Sequence, residues 1–311
     1  MWWRSGRLDE RLIHWPSLEE AFGRPGEESG DPIPADLPAE QDHYLVYLSG
    51  IGISSPAELP VIEIPMVERL TDRIGDTRVI WQIYPYSAAN TALTQGRRLS
   101  RLWQVLARWK FEKTRLRWMA FLINLRNSFQ IFVSSDRRYG PVFNLAIAEQ
   151  IAAALIRNGY RPEHRHPVTL LGWSGGAQIA AGTAWYLAAL GMPVRVMSMA
   201  GIMSSDPGLD RACQIWHLRG DHDKVQSLGA LFSAGRWPIF RGSSWNRARR
   251  EGRLRVIRIG PLKHAGKRGY FSCEPILPDS RQPCETTADA IVGVLVEAGL
   301  ARDNARPDNP D

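Results

Sequence analysis

The chain has 311 residues, 44% of them hydrophobic, and a formal net charge of +7. The length suits one large domain or two small ones, and the hydrophobic share is ample for a buried core. No internal repeat and no run of about 18 apolar residues is present, so the composition excludes repeat architectures and a membrane-spanning helix.

The first 42 residues are predicted to form an N-terminal arm or linker. After a short amphipathic start they are rich in Pro, Gly and acidic residues, which favour extended or turn conformations. The opening sequence contains no apolar segment of the kind found in signal peptides. We therefore expect a cytoplasmic protein.

Regular structure is predicted to begin at His43. Residues 43–50 (HYLVYLSG) have the pattern of a buried strand that runs into a glycine-rich turn. Residues 61–75 suggest a helix. Residues 77–86 (TRVIWQIYPY) suggest a second strand, because β-branched and aromatic residues dominate that segment.

Residues 87–127 are predicted to be a basic helical insertion. Within it, residues 97–126 contain nine Lys or Arg against one acid, with tryptophan and phenylalanine between them. Apolar residues recur there at helical spacing. Basic and aromatic side chains on one helix suit a lipid headgroup boundary, so an anionic membrane surface is one expected partner. A helix packed on the core is the alternative, and we expect no nucleic acid because no recognised binding module is visible.

The next segments alternate between strand and helix. Residues 131–135 (IFVSS) are predicted to be a strand, and residues 141–160 a helix that ends at an Asn-Gly turn. Residues 167–173 (PVTLLGW) indicate a buried strand, and residues 176–191 a helix closed by Gly191.

The same alternation continues to the end. Three further strands are predicted over residues 194–202, 214–220 and 254–260, followed by a helix over residues 287–300 and a disordered tail over residues 301–311. Alternation of this kind predicts an α/β fold, with a mostly parallel sheet and helices on both faces. The strand at 254–260 overlaps the end of a second basic segment, residues 236–258, with eight Arg against one acid.

The three cysteines are Cys213, Cys273 and Cys284. Their odd number and irregular spacing argue against a disulfide framework. Cys273 and Cys284 could pair, but free thiols in a reducing compartment are favoured.

The segment Gly172-Trp173-Ser174-Gly175-Gly176 lies where a predicted strand meets a predicted helix. A serine on such a tight turn exposes its hydroxyl, and glycines two positions before and after leave room for the crossing backbone. The helix N-terminus supplies N–H groups and positive potential for a developing negative charge. The pattern predicts a nucleophilic serine, and an ordinary glycine-rich turn is the alternative.

With this motif in its strand–turn–helix context, the chain resembles the α/β-hydrolase superfamily over about residues 43–300. The resemblance implies one α/β-hydrolase domain, in which the insertion at residues 87–127 would be lid-like. It also implies a chain order of nucleophile, acid and then histidine.

The resemblance assigns a catalytic base and acid. His264 follows the strand 254–260, where the family places its histidine. Asp223 stands three residues after Gly220, at the end of the preceding strand, and is the chosen acid. Asp221 is the second choice and Asp206 the third.

The oxyanion hole is expected from the backbone N–H groups of Gly175 and Ile51. The loop after the first strand lacks the His-Gly pair that relatives often carry there, which leaves the second donor open. His217 and His222, with their acidic neighbours, suggest a metal site, but no third ligand group is evident. We therefore predict no metal ligands and no cofactor.

Taken together, these residues predict a serine hydrolase of carboxylesterase or lipase type. Its substrate would be a small-molecule or lipid-like ester, cleaved through an acyl-enzyme on Ser174 with His264 and Asp223. The alternative is a hydrolase-like scaffold that binds an anionic membrane or a protein partner without catalysis.

Overall fold

The computed structural model describes residues 13–22, 36–51, 59–86, 127–136, 138–274 and 277–305. Its centre is a six-stranded sheet in which every neighbouring pair is parallel. The strands of this sheet are β1 (His43–Leu48), β3 (Thr77–Ile80), β4 (Val168–Trp173), β5 (Val194–Met199), β6 (Gln214–Arg219) and β7 (Leu254–Arg258). The predicted α/β class with a mostly parallel sheet is confirmed.

The strand order is β3-β1-β4-β5-β6-β7, so the chain changes direction across the sheet at β1. It moves from β1 to β3 on one side and then crosses to β4 on the other. Every residue of β1 and β4 is buried. Because ligands of open parallel sheets bind beyond the carboxyl ends of strands where the order reverses, the end of β4 is a prime location for a site.

Helices cover both faces of the sheet. The described α-helices are α1 (Leu18–Phe22), α2 (Ile64–Arg73), α3 (Asn127–Ser135), α4 (Gly140–Arg157), α5 (Gly176–Ala189), α6 (Leu228–Phe232), α7 (Ser244–Arg250) and α8 (Pro283–Glu297). The helix α4 ends as its sequence predicts, because Gly159 adopts a φ of 86° that glycine tolerates best. Gly191, with a φ of 88°, follows α5 in the same way.

Two apolar cores separate the sheet from its helices. On one face, α4, α5 and α7 pack on residues such as Val46 and Leu170. On the other face, α2 and α8 pack on residues such as Leu45 and Leu171. Neighbouring residues of one strand face opposite cores, which explains why the strands read as continuous apolar runs rather than alternating ones.

The predicted strand over residues 131–135 is wrong. These residues are helical and belong to α3. Ile131 and Val133 favour a strand by local propensity and both pack on the core, but the two fully buried positions, Asn127 and Ser134, are seven residues apart, about two helical turns. Packing of this face over the turn at Gly175 decides the conformation, since tertiary context overrides weak propensity.

Parts of the predicted arm and tail carry regular structure. The helix α1 packs Ala21 and Phe22 against Ile156 of α4. Two short strands, β2 (Ile74–Gly75) and β8 (Arg302–Asp303), pair antiparallel. Of the basic insertion predicted at residues 87–127, residues 87–126 lie outside the described residues.

The second basic segment contributes to the fold as well as to the surface. Arg247 pairs with Asp210, and the guanidinium of Arg236 lies 3.8 Å from the ring centroid of Trp245. Trp245 is buried in the core, whereas Trp237 is exposed. Much of this positive charge therefore has a structural partner.

Among the described helices, none is by itself long and apolar enough to cross a membrane. Only α3 and α4 taken together pass by length and composition, and they meet at 110°. Much of α4 is buried in the core of the fold.

Candidate active site

The turn between β4 and α5 holds Ser174 in a left-handed backbone conformation, with a φ of 50°. This conformation is unfavourable for a residue with a Cβ and persists only where the surroundings enforce it. Here the Ser174 N–H donates to Met199 O at 2.9 Å, and the Ile202 N–H donates to Ser174 O at 3.1 Å. Both bonds tie the turn to the chain that leaves β5.

The glycines flanking Ser174 are required by the crossing backbone. A Cβ at Gly172 would collide with the backbone of Ala177, and a Cβ at Gly176 would collide with Leu48 O. The backbone segments thus approach so closely that no side chain fits two residues before or two residues after the serine. This close approach is the backbone geometry that the sequence motif predicts.

The imidazole of His264 lies directly beside the serine. Ser174 Oγ is 3.0 Å from His264 Nε2. The loop after β7 that carries His264 is held by a bond from the Lys263 N–H to Arg268 O at 2.8 Å. The ring of Trp173 stacks on the imidazole with centroids 4.8 Å apart. One face of the imidazole is therefore fixed by the residue that precedes the serine.

Asp223 lies on the other side of the imidazole. Its Oδ2 is 3.0 Å from His264 Nδ1, and its side chain is fully buried. Its Oδ1 accepts a hydrogen bond from the Val225 N–H at 2.9 Å, in the turn that follows β6. The carboxylate is thus aimed at the imidazole by the backbone of its own turn.

Tyr270 is a site residue that the sequence analysis missed. Its hydroxyl donates to Asp223 Oδ2 at 3.1 Å and accepts a hydrogen bond from the Gly220 N–H at 2.6 Å. Burial, and then the charge of Asp223, raise the pKa of Tyr270 above its usual value, so it stays a donor. No local motif marks this tyrosine, because it reaches the site from a loop that only the fold brings near β6.

The two other candidate acids lie elsewhere. The Asp221 side chain is exposed, and its ion pair is with Arg258 at 3.8 Å. Asp206 is buried and accepts hydrogen bonds from Gln178 Nε2 and the Gly208 N–H, each at 2.9 Å. Burial raises the pKa of Asp206 to about 6. Of the three aspartates, Asp223 is the one in contact with His264.

The two N–H groups expected for an oxyanion hole flank the serine turn. Gly175 follows Ser174, and Ile51 ends the described part of the loop after β1. A Cβ at Gly50 would lie 3.6 Å from Ser174 Cβ, so this loop borders the serine closely. Within the described residues, neither the Gly175 N–H nor the Ile51 N–H has a hydrogen-bond acceptor. In the described part of the chain, neither N–H is therefore taken up by another backbone group.

His217 and His222 do not form a shared site. His217 is buried, and its Nδ1 lies 3.0 Å from Ser198 Oγ. Burial, followed by the charges of Arg236 and Arg219, lowers the pKa of His217 to about 3. His222 is exposed. The structure thus makes His217 a neutral core histidine.

The three predicted side chains therefore form one continuous chain of contacts from hydroxyl to imidazole to carboxylate. An imidazole placed this way can take a hydroxyl proton at Nε2 while its Nδ1–H is held by a carboxylate. A comparison of the chain with known protein families and with curated proteins found no match.

Proposed function

We propose that this protein is a serine hydrolase of the α/β-hydrolase superfamily that cleaves a carboxylic ester. The observation that carries the proposal is the contact chain from Ser174 Oγ through His264 to Asp223, with both links at 3.0 Å. The parallel sheet and the strained serine turn at its carboxyl edge support the family assignment. Fold resemblance by itself would not support the activity, because one fold serves many functions.

In the proposed acylation step, neutral His264 keeps its proton on Nδ1, and this N–H donates a hydrogen bond to the Asp223 carboxylate. Its Nε2 accepts the Ser174 proton as Oγ attacks the carbonyl carbon of the ester. The carbonyl oxygen gains negative charge, and the Gly175 and Ile51 N–H groups stabilise it. The imidazolium then protonates the leaving alcohol, so the acyl group remains on Ser174.

Deacylation repeats the same steps with water. His264 accepts a proton from water as its oxygen attacks the acyl carbon, and the same two N–H groups stabilise the second oxyanion. The imidazolium returns its proton to Ser174 Oγ, which releases the carboxylic acid and restores the free enzyme. Asp223 stays ionised throughout and stabilises the imidazolium.

Labelling with an alkyl fluorophosphonate tests the proposal directly. We expect the wild-type chain to be labelled on Ser174 and to hydrolyse short p-nitrophenyl esters. Ser174→Ala should lose the label and at least about 10⁴-fold of the turnover, because the nucleophile is gone. The fold of the variant is checked by circular dichroism.

Ser198→Ala is the matched control, since Ser198 Oγ also lies 3.0 Å from a histidine nitrogen. That serine is buried inside β5 and lacks the strained turn, so its variant should keep label and turnover. A folded wild-type chain with neither label nor turnover would favour the non-catalytic scaffold.

A hydrophobic or lipid-like acyl group is the proposed substrate class, and an anionic membrane surface the proposed partner. The basic, aromatic residues 97–126 support both. The segment after β6 adds exposed apolar side chains at Leu231, Phe232 and Ile239, which are 64%, 70% and 76% exposed. Exposed apolar groups next to arginines suit a headgroup boundary.

Vesicle co-sedimentation tests the membrane proposal. Anionic vesicles should bind more protein than neutral ones, because each Lys or Arg near the surface contributes about 1 kcal/mol. Binding should weaken as salt rises. Replacing Arg108, Lys110, Arg115 and Arg117 with Gln should reduce it at fixed salt. Equal binding to both kinds of vesicle would contradict the electrostatic basis.

A further inference from the structure

A second group of imidazole and carboxylate side chains lies at the opposite edge of the sheet. Glu40 precedes β1, and His164 and His166 precede β4, so all three lie near the amino ends of two paired strands. Ser174 lies beyond the carboxyl end of β4. Six residues of strand span about 20 Å, so this group is well separated from the serine site.

The ligand atoms of this group converge. His164 Nδ1 is 2.7 Å from Glu40 Oε2, and His166 Nε2 is 3.3 Å from Glu40 Oε1. One nitrogen from each ring and one oxygen of the carboxylate all lie within 4.8 Å of one another. Ligands of a tetrahedral ion at about 2.0–2.2 Å lie about 3.3–3.6 Å apart, so small side-chain rotations would let a single ion contact all three.

The contacts among the three side chains leave bonding capacity unused. Within the described part of the chain, Glu40 Oε1 is buried and has no hydrogen-bond partner. His166 Nε2 faces this oxygen at ion-pair distance, yet the geometry is not that of a hydrogen bond. A buried carboxylate oxygen without a hydrogen bond is costly, and a bound cation would remove that cost.

The backbone that carries the group is held in place. Tyr160 OH donates to His166 O at 3.2 Å, and the Tyr44 N–H donates to Pro167 O at 3.1 Å. The two imidazole rings lie edge to face, 5.9 Å apart. Among the arginines and lysines of the described ranges, the one at ion-pair distance from Glu40 is Arg161, whose Nε is 4.0 Å from Glu40 Oε2 and whose side chain is 68% exposed. It can move into solvent without breaking a core contact.

We propose that Glu40, His164 and His166 form a binding site for a divalent transition-metal ion of the zinc type. Two imidazoles and one carboxylate are a donor set that zinc accepts, and Mg²⁺ and Ca²⁺ prefer oxygen ligands. The half-exposed His164 leaves a side of the site open to water as a fourth ligand. The ion would link two segments 124 residues apart and stabilise the fold by mass action.

Calorimetric titration of the metal-free, full-length chain with zinc chloride tests the site. We expect one zinc ion per chain and a higher thermal midpoint in the presence of zinc. A large excess of Mg²⁺ should not compete. His164→Ala, His166→Ala and Glu40→Gln should each weaken zinc binding by at least about tenfold, since each removes a ligand. Cobalt bound in place of zinc should give the visible absorption of a four-coordinate site.

His222→Ala is the matched control, because His222 is an exposed histidine outside the group. It should bind zinc as the wild type does. The half-exposed His164 can be replaced without disturbing the core, so its variant keeps the test valid if Glu40→Gln is unstable. Zinc binding that survives both histidine variants, or no binding by the wild type, would overturn the site and leave an ion pair between Glu40 and protonated imidazoles.

Discussion

The two edges of the sheet place the same chemical groups, imidazole and carboxylate, in different surroundings. At the carboxyl edge, both oxygens of Asp223 are satisfied by His264, Tyr270 and the Val225 N–H. At the amino edge, one oxygen of Glu40 has no hydrogen bond within the described residues. The two sites differ in how many of the carboxylate oxygens receive a hydrogen bond from the rest of the fold.

This difference bears on what each group can do. A carboxylate surrounded by donors is fixed in direction, so it can orient one imidazole and stabilise its charged form. A carboxylate with an open oxygen between two imidazoles has room for a cation as the shared partner. Hydrogen-bond satisfaction, more than residue type, separates the proposed catalytic role from the proposed metal-binding role.

Replacing the carboxylates one at a time gives the largest expected contrast. Asp223→Asn should lower kcat for p-nitrophenyl esters by about 10⁴-fold, because the amide cannot hold the imidazole in the productive tautomer. Glu40→Gln and Asp221→Asn should leave kcat unchanged, since neither side chain contacts His264. Steady-state kinetics on the three purified variants checks this. Equal losses in Asp223→Asn and Asp221→Asn would contradict the assignment of the acid.

Tyr270→Phe sharpens the comparison by removing one donor from Asp223. We expect kcat to fall by about tenfold with KM unchanged, because Tyr270 positions the carboxylate and does not touch the substrate. The free energy of unfolding should fall by about 1–3 kcal/mol, since the buried Gly220 N–H loses its acceptor.

Tyr160→Phe is the matched control for Tyr270, because the Tyr160 hydroxyl also bonds a backbone group. Its loss should reduce stability and leave kcat intact. If both variants lowered kcat equally, Tyr270 would act only through general stability.

Asp206 gives the smallest expected effect, and it concerns stability alone. This buried carboxylate has neutral donors and no imidazole, and burial raises its pKa to about 6. The unfolded value is about 3.9, so between these pH values the folded chain keeps a proton that the unfolded chain has released. The free energy of unfolding should therefore fall as the pH rises through this window, by at most about 3 kcal/mol.

Asp206→Asn removes that titration. Urea unfolding across the window should show the wild type losing stability relative to the variant as the pH rises. Asp221→Asn, on an exposed carboxylate, should change nothing. A constant difference between wild type and Asp206→Asn at every pH would show that Asp206 does not carry the effect.

The sequence was sufficient for features that depend on local pattern. The α/β class follows from buried strands alternating with helices, because parallel strands must be covered on both faces. The turn around Ser174 was predictable because Gly172 and Gly176 are needed wherever a strand and a helix cross so closely. The positions of His264 and Asp223 came from the order implied by the family resemblance, and their catalytic roles stay predictions.

Tertiary structure decided what depends on residues far apart in the chain. Residues 131–135 are helical because their packing face, and not their strand propensity, meets the core. Tyr270 reaches Asp223, and Glu40 reaches His164 and His166, only because the parallel sheet brings distant loops to a common edge. A local sequence pattern cannot predict such contacts, because hydrogen bonds between distant loops depend on how the whole sheet is assembled.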